Sequence, residues 1–314
     1  VPCYLHKPVL VAEVLDALRP KPGGRYADGT VGGGGHAAAI LAASSPDGWL
    51  FGCDRDGVAV EAARARLAEF AGRFEVRQGN FAELAEWLPA GGCDGVLLDL
   101  GLSSAQLDAP ERGFSFQHDG PLDMRMDAGQ QRTAADLVNG ASAEELAKLF
   151  WELGGERSAR RFANAIVRER ESGKAGFRTT RQLANLIESR VAGSPRAGRR
   201  THPATKVFQA LRLAVNDEIG SLKRGLDSSL TILKPGGRLA VITFHSLEDR
   251  VVKAFGRARA RDYAFTGGVD VPELRAPRTP EVKWLTRRAI KPGAAEVAEN
   301  PRSRSAQLRV IEKL

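Results

Sequence analysis

Residues 28 to 36 read Asp28-Gly29-Thr30-Val31-Gly32-Gly33-Gly34-Gly35-His36 and join a short apolar segment to an alanine-rich one. Residue types at this spacing suit the binding of a nucleotide. Glycine has no Cβ and tolerates positive φ, so a glycine run lets the backbone bend sharply and come close to a ligand. A second acid, Asp54, closes the apolar run Trp49-Leu50-Phe51-Gly52-Cys53. An acid at the end of the second strand of a nucleotide-binding unit, about 20 residues past the glycine turn, can accept hydrogen bonds from ribose hydroxyls. The ligand these residues imply is an adenosine-containing cofactor.

The spacing narrows the choice. Neither G-x-G-x-x-G nor G-x-x-x-x-G-K-[ST] occurs in the turn, so the pyrophosphate and ATP phosphate fingerprints are missing. Asp28 inside the turn is awkward beside a pyrophosphate but suits a ligand with an ammonium and a sulfonium, that is, S-adenosylmethionine. Phe81, in Gly79-Asn80-Phe81, could cover an adenine ring. Asp99 ends the apolar run Gly95-Val96-Leu97-Leu98, where ligands of open α/β sheets bind.

These residues need strands and helices to position them. Tyr26-Ala27 leads into the turn; 35–43 and 57–70 read as helices (the latter on Val58, Ala62, Leu67 and Phe70), and 49–53, 73–77 and 95–98 as strands. Phe81 to Leu88 reads as a further helix. Continuous apolar runs mark parallel strands covered on both faces, and βαβ alternation implies a doubly wound α/β sheet. The next such strand is 238–244, after Leu233-Lys234-Pro235-Gly236-Gly237, read as a helix stop and tight turn. A crossover does not need the whole stretch from Asp99 to Arg238, so a separate domain is inserted there. It reads as all-helical. Ser142 and Glu145 form a capping box ahead of Leu146, Leu149, Phe150 and Leu153. Further helices are expected over 157–171, from Thr180, and as one long helix carrying Phe208, Leu211, Val215, Leu222 and Leu226. Residues 267–280 read as loop, and 282–288 and 305–312 as an antiparallel strand pair at a sheet edge.

Charge separates these parts. Residues 156 to 212 hold 14 Lys+Arg against 4 Asp+Glu, a local net of +10, while the whole chain is +8, so the remainder is about −2. A concentrated basic patch is an electrostatic footprint for a phosphate backbone; a solvated helical face is the plainer reading. Arg196, Arg199, Arg200, Lys206 and Arg212 are the candidate phosphate contacts. Cys3, Cys53 and Cys93 have no CxxC spacing, which argues against zinc and suits a cytoplasmic protein. No apolar stretch reaches membrane-spanning length, no secretory signal is expected, and no metal-ligand spacing is present.

At this level of detail the chain resembles the RsmH (MraW) family of bacterial methyltransferases. The phrases that carry the resemblance run nearly the full length: His6-Lys7-Pro8-Val9-Leu10, the glycine turn, Asp99-Leu100-Gly101-Leu102-Ser103-Ser104, Gln106-Leu107-Asp108, Glu111-Arg112-Gly113-Phe114-Ser115-Phe116, Gly120-Pro121-Leu122-Asp123-Met124-Arg125-Met126, His202-Pro203-Ala204-Thr205, Phe244-His245-Ser246-Leu247-Glu248-Asp249-Arg250 and Asn300-Pro301-Arg302-Ser303-Arg304-Ser305-Ala306. Gly33 is a small departure, where other members often carry a larger residue. The resemblance implies a Rossmann-like class I S-adenosylmethionine methyltransferase sheet, with methyl transfer to the exocyclic N4 of a cytosine in the decoding region of small-subunit ribosomal RNA. It implies cofactor contacts at Gly34, Gly35, His36, Asp54, Phe81, Asp99 and Gln106; His36 and Gln106 come from the resemblance alone. The partner is the ribosomal RNA or the 30S particle, and monomer and homodimer both stay open. The expected units are 1–107 with 213–314 for methyl transfer, and 108–212 for substrate recognition.

The chemistry sets the remaining expectations. The N4 lone pair of cytosine is delocalised into the ring, so a site must accept hydrogen bonds from the amino group and aim it; orientation carries much of the catalysis. The Pro-Pro-aromatic loop of many amino-methyltransferases is absent. Candidate acceptors are Asp99 or a backbone carbonyl near Leu100, with Ser103 auxiliary. His245 either takes a proton, touches RNA, or holds the local backbone. Asp123 and Arg125 either shape the cytosine pocket or form an ion pair, and Phe114 and Phe116 either stack on bases or pack in a core. A DNA amino-methyltransferase, a nicotinamide-dependent oxidoreductase and a non-catalytic RNA-binding protein are the competing classes.

Overall fold

The computed structural model describes residues 8–172, 176–191, 202–265 and 270–314. The chain divides into two compact units, one of residues 1–101 and 219–314, the other of residues 102–218. The expected boundaries at 107/108 and 212/213 both fall inside the second unit.

In chain order the first unit begins with α1 (Val11–Leu18), β1 (Arg25–Asp28), α2 (Gly35–Ala43), β2 (Trp49–Asp54), α3 (Gly57–Arg66), β3 (Phe74–Gln78), the short α4 (Leu84–Trp87) and β4 (Cys93–Asp99). The second unit holds α5 (Ser104–Asp108), α6 (Ala134–Gly140), α7 (Ala143–Glu152), α8 (Ala159–Glu171), α9 (Thr180–Ser189) and α10 (Thr205–Val215). The chain returns through α11 (Glu218–Ile232), β5 (Leu233–Thr243), α12 (Ser246–Arg259), β6 (Tyr263–Phe265), β7 (Arg275–Pro277), β8 (Val282–Trp284), α13 (Ala294–Glu299) and β9 (Gln307–Lys313).

The main sheet has the order β3-β2-β1-β4-β5-β9-β8. The first five strands run parallel; β9 is antiparallel to β5 and β8 to β9. Side chains of a strand alternate between faces, and here both faces are covered. Leu97, Ala240 and Ile242 pack with α1, α2 and α3 on one side. Val96, Leu98, Leu239 and Val241 pack with Leu84, Leu222, Leu226 and Val252 on the other. This is the doubly wound α/β sheet that the continuous apolar runs imply. The second unit has its own core around Leu146, Phe150, Phe162, Ile166, Leu183, Ile187, Phe208 and Leu211, and its helices are set by capping boxes at Thr133, Ser142 and Thr179.

Several elements differ from expectation, each for a local reason. The single long helix expected over 208–226 is two, α10 and α11. Asp217 sits at φ 44, and the buried Asn216 amide donates to the carbonyls of Met124 (2.8 Å) and Arg212 (2.9 Å) and accepts from Met126 N–H (2.8 Å). Those bonds hold the break that helical periodicity cannot reveal. Residues 233–237 are part of β5: Lys234–Gly237 bulge opposite the single residue Asp94, with Gly236 at φ 77. β8 ends at Trp284, short of the expected Arg288, and the expected loop at 267–280 carries β7, paired with β6. In α3 the inward face is Ala59, Val60 and Ala63, while Val58 is exposed. The helices α1, α5, α6, α12 and α13 are additional to those read from the sequence.

Candidate functional site

The strand order reverses between β1 and β4, which lie side by side although one winds toward β2 and the other toward β5. Ligands of open α/β sheets bind outside the carboxyl ends of the strands at such a switch point. Asp28 ends β1, Asp54 ends β2 and Asp99 ends β4, so the parallel strands bring together three acids that are far apart in the chain.

The glycine turn is laid against these ends. Gly29 N–H donates to Leu97 carbonyl and Val31 N–H to Cys53 carbonyl, both at 2.9 Å. A Cβ on Gly29 would stand 2.6 Å from a Leu98 methyl and 2.7 Å from Phe81 Cβ, so only glycine lets the turn pass. Gly32 and Gly34 take positive φ, 49 and 78, and Gly34 is the residue from which α2 starts. Asp54 is fixed by two amides: Gly32 N–H donates to one oxygen and Asp56 N–H to the other, each at 2.9 Å. Each oxygen keeps a further lone pair, as acceptance from a ribose hydroxyl requires. Burial, opposed by these two amides, pushes the Asp54 carboxyl up to about 6.

Asp28, His36 and Asp99 form an inner cluster. Asp28 is buried, and burial raises its carboxyl to about 7 against the opposing pull of His36. Thr30 links the acids: its N–H donates to Asp28 Oδ1 at 3.1 Å, and its hydroxyl oxygen accepts from Asp99 N–H at 2.6 Å. His36 lies on the first turn of α2 with Nε2 3.4 Å from Asp99 Oδ2. Burial pulls the imidazole down, but Asp99, Asp28 and Glu296 outweigh it and raise its pKa. Asp99 Oδ1 is buried with no hydrogen-bond partner among the described residues, and so is His36 Nε2. Buried polar atoms are almost always paired; an orphaned carboxylate oxygen at a strand end fits a ligand that brings a donor. Three carboxylates against one imidazole suit a cationic ligand such as S-adenosylmethionine and disfavour a pyrophosphate.

The other expected residues are placed as follows. Phe81 opens the segment after β3 and lays its ring against α11; a Cβ on Gly225 would fall 2.2 Å from Phe81 Cδ2. His245 is the N-cap of α12. Its Nδ1 accepts from Glu248 N–H at 3.4 Å, Nε2 stands 3.1 Å from Glu248 Oε1, and the other Glu248 oxygen accepts from Phe244 and His245 N–H. Nδ1 thus caps the backbone of α12, while the buried Nε2 has no hydrogen-bond partner among the described residues. Ser103 and Gln106 lie in the second unit and cap α5 reciprocally: Gln106 N–H donates to Ser103 Oγ at 3.2 Å and Ser103 N–H to Gln106 Oε1 at 3.1 Å.

Asp123 and Arg125 form a two-point ion pair, 2.8 Å on each arm, which fixes a loop whose Met124 is buried at φ 63. Phe114 is buried in the helical core, and Phe116 packs 4.8 Å from the Phe208 ring and 4.7 Å from His202. Of the candidate phosphate contacts, Arg212 is held by Glu218 at 2.8 and 2.9 Å and Lys206 donates to Gly155 carbonyl at 2.9 Å. Arg196, Arg199 and Arg200 lie outside the described residues, as do Cys3, His6 and Lys7. Thr30 and Glu296 were not singled out by sequence. Thr30 carries a signal, a hydroxyl between two acids in a nucleotide turn; Glu296 carries none, since only the fold brings it to Leu10 N–H (2.8 Å) and within reach of His36. Among the described residues no His, Cys, Asp and Glu side chains gather as metal ligands, and no helix is long and apolar enough to cross a membrane.

The model of the MraW methylase family matches residues 3–314. The chain is 52% identical over 316 residues to the ribosomal RNA small subunit methyltransferase H of Geobacter sulfurreducens, covering 99% of each. It is 52% identical over 315 residues to the protein of the same name from Syntrophotalea carbinolica, covering 99% of this chain and 98% of that one. The Symbiobacterium thermophilum protein of that name is 50% identical over 314 residues, covering 99% and 97%.

Proposed function

Since the chain belongs to the MraW methylase family, we propose that it moves a methyl group from S-adenosylmethionine to the exocyclic N4 of a cytosine in small-subunit ribosomal RNA. The site feature that supports this most directly is Asp99, whose buried Oδ1 has no partner among the described residues and so is free to accept an N–H.

S-adenosylmethionine supplies an electrophilic methyl on a cationic sulfur. Asp54 accepts from the ribose hydroxyls while Gly32 and Asp56 amides hold its orientation. Phe81 offers a ring beside the adenine. Asp28 balances the positive charge, with the glycine turn and α2 giving the backbone close approach at Gly34 and Gly35. Gln106 is the contact that rests on family likeness alone. Asp99 orients the amino nitrogen by accepting a hydrogen bond from one of its N–H groups. A weak base suffices afterwards, because the nitrogen proton becomes acidic once the nitrogen is alkylated. Thr30 and His36 hold Asp99 from its backbone and its other oxygen. His245 serves through the α12 cap, and Ser103 through the α5 cap.

We assign substrate recognition to the second unit, whose basic window includes Arg196, Arg199 and Arg200. The RNA, bare or as a 30S particle, would be met in the cytoplasm where it is assembled, and its target base must leave any stack to reach the strand ends. The reading is tested by mass spectrometry of small-subunit RNA from a strain lacking this gene, with and without the restored chain. Loss and return of N4-methylcytidine are expected; an unchanged modification profile would overturn the reading.

A further inference from the structure

Beyond the strand-end site, the methyltransferase unit carries a second concave surface of about 640 Å³. Six of its lining side chains are cationic: Lys253 and Arg257 on α12, Arg287, Arg288 and Lys291 after β8, and Arg309 on β9. No acid lines it. The overall charge outside residues 156–212 is slightly negative, so this concentration is local and invisible in the chain-wide balance.

The cations divide into two groups. Lys253 and Arg309 are paired with Asp249 of α12, Lys253 at 2.9 Å. These two line the groove with their charge already balanced by a carboxylate that does not. Arg257, Arg287, Arg288 and Lys291 have no carboxylate partner among the described residues, and the remaining residues of the chain include no Asp or Glu. Arg257, Arg287, Arg288 and Lys291 are also exposed. Unpaired cations side by side repel one another, and a polyanion relieves that repulsion. Trp284 adds a rigid aromatic wall: a Cβ on Gly256 would stand 2.2 Å from its Cζ2, so the indole is seated in a glycine notch of α12. Thr286 and Gln307 add hydrogen-bonding groups. Cations that track a backbone, beside an aromatic ring, are the elements of single-strand nucleic-acid binding.

Position ties this groove to the strand-end site. Asp99 pairs in register with Ile242 of β5, and Ile242 with Leu308 of β9. Gln307, the next residue, lines the groove. Two strand spacings separate the rows, about 10 Å, a distance bridged by one or two nucleotides of extended chain.

We propose that this groove binds the phosphate backbone of the substrate RNA a few nucleotides from the methylated cytosine, on the opposite side of the sheet order from the glycine turn. The proposal rests on the ribosomal RNA reading and adds to it a contact surface in the methyltransferase unit. A concave wall with polar side chains fits a flexible phosphate strand better than a flat anionic bilayer.

The test combines Arg287→Gln, Arg288→Gln and Lys291→Gln in the full chain, none of them in the strand-end site. Affinity for a small-subunit RNA fragment is measured by fluorescence anisotropy across a salt series, and S-adenosylmethionine binding by calorimetry. Expected are unchanged donor affinity, RNA binding weakened about tenfold near 0.15 M salt, and a log–log salt slope shallower by about 2, since each lost phosphate contact removes ~0.7. Ultraviolet cross-linking of the parent, with peptide mapping, should mark residues 284–291 and needs no variant to fold. Equal affinity and slope with no cross-link there would overturn the proposal, as would loss of binding to phosphatidylglycerol vesicles with RNA binding intact. Parent protein that methylates cytosine N4 while the variant binds RNA normally removes the groove alone; parent protein that leaves N4 unmodified removes the proposed function.

Discussion

His36 Nε2 stands 3.4 Å from one oxygen of Asp99, and the other oxygen of that carboxylate is buried without a partner among the described residues. The imidazole therefore anchors one side of the acid and leaves the other side to a ligand. Asp99→Ala should reduce single-turnover methyl transfer by more than 100-fold, the range of a positioned proton acceptor. A rate within threefold of the parent would remove Asp99 from the reaction.

Ligand charge should be felt as proton release. Burial holds Asp28 at about 7 and Asp54 at about 6, and surrounding acids raise His36 despite its burial. A cation entering this cluster favours ionised acids and a neutral imidazole, so all three shifts release protons. Titration calorimetry at pH 6.5 in two buffers of different ionisation enthalpy should show protons leaving on S-adenosylmethionine binding, and fewer on binding of the product, which lacks the sulfonium charge. Net uptake would contradict the charge assignment.

Asp28 also makes stability depend on pH with a defined sign. Its folded value, about 7, lies above the ordinary 3.8. The folded state binds the extra proton between those values, so this residue's contribution is fully favourable below pH ~4 and is lost as pH rises through 7. Asp28→Asn should therefore raise Tm relative to the parent more at pH 8 than at pH 5, while weakening donor binding. A Tm difference that does not change with pH would show that the carboxyl titrates normally.

Asp54→Ala should weaken S-adenosylmethionine binding by more than tenfold, because it removes the ribose acceptor and leaves the Gly32 and Asp56 amides unpaired. Calorimetry on the folded variant decides this; an unchanged Kd would rule out the ribose contact.

Phe81 and Gly225 should couple. Gly225→Ala places a methyl 2.2 Å from the Phe81 ring, an overpacking cost of about 1–3 kcal/mol. Adding Phe81→Leu should recover part of the lost Tm. Additive losses in the double variant would mean that the two side chains do not share the space.

The acids and glycines were legible because their chemistry is local: a strand, a turn needing no Cβ, and an acid ending the next strand. Asp28, Asp54 and Asp99 could be placed at strand ends from apolar runs alone. The break at Asn216 was not legible, because its cause is hydrogen bonds to Met124 and Met126, some ninety positions away. His245 was legible as a residue but not as a cap, since α12 itself was not read from the sequence. The basic groove was hidden for a related reason: its cations come from three separate stretches, and a window count sees only neighbours in the chain.

The gap between β4, which ends at Asp99, and β5, which begins at Leu233, has a consequence for synthesis. At ~5–20 residues per second, translation needs roughly 7 to 27 s to reach β5 once β4 has been made. During that interval the nascent β1–β4 layer presents an unzipped flank, the kind of edge that invites mispairing. The intervening helices, whose core is drawn entirely from residues 114–215, can fold first. The order of maturation then departs from the order of emergence: the middle of the polypeptide settles while its beginning waits for its end.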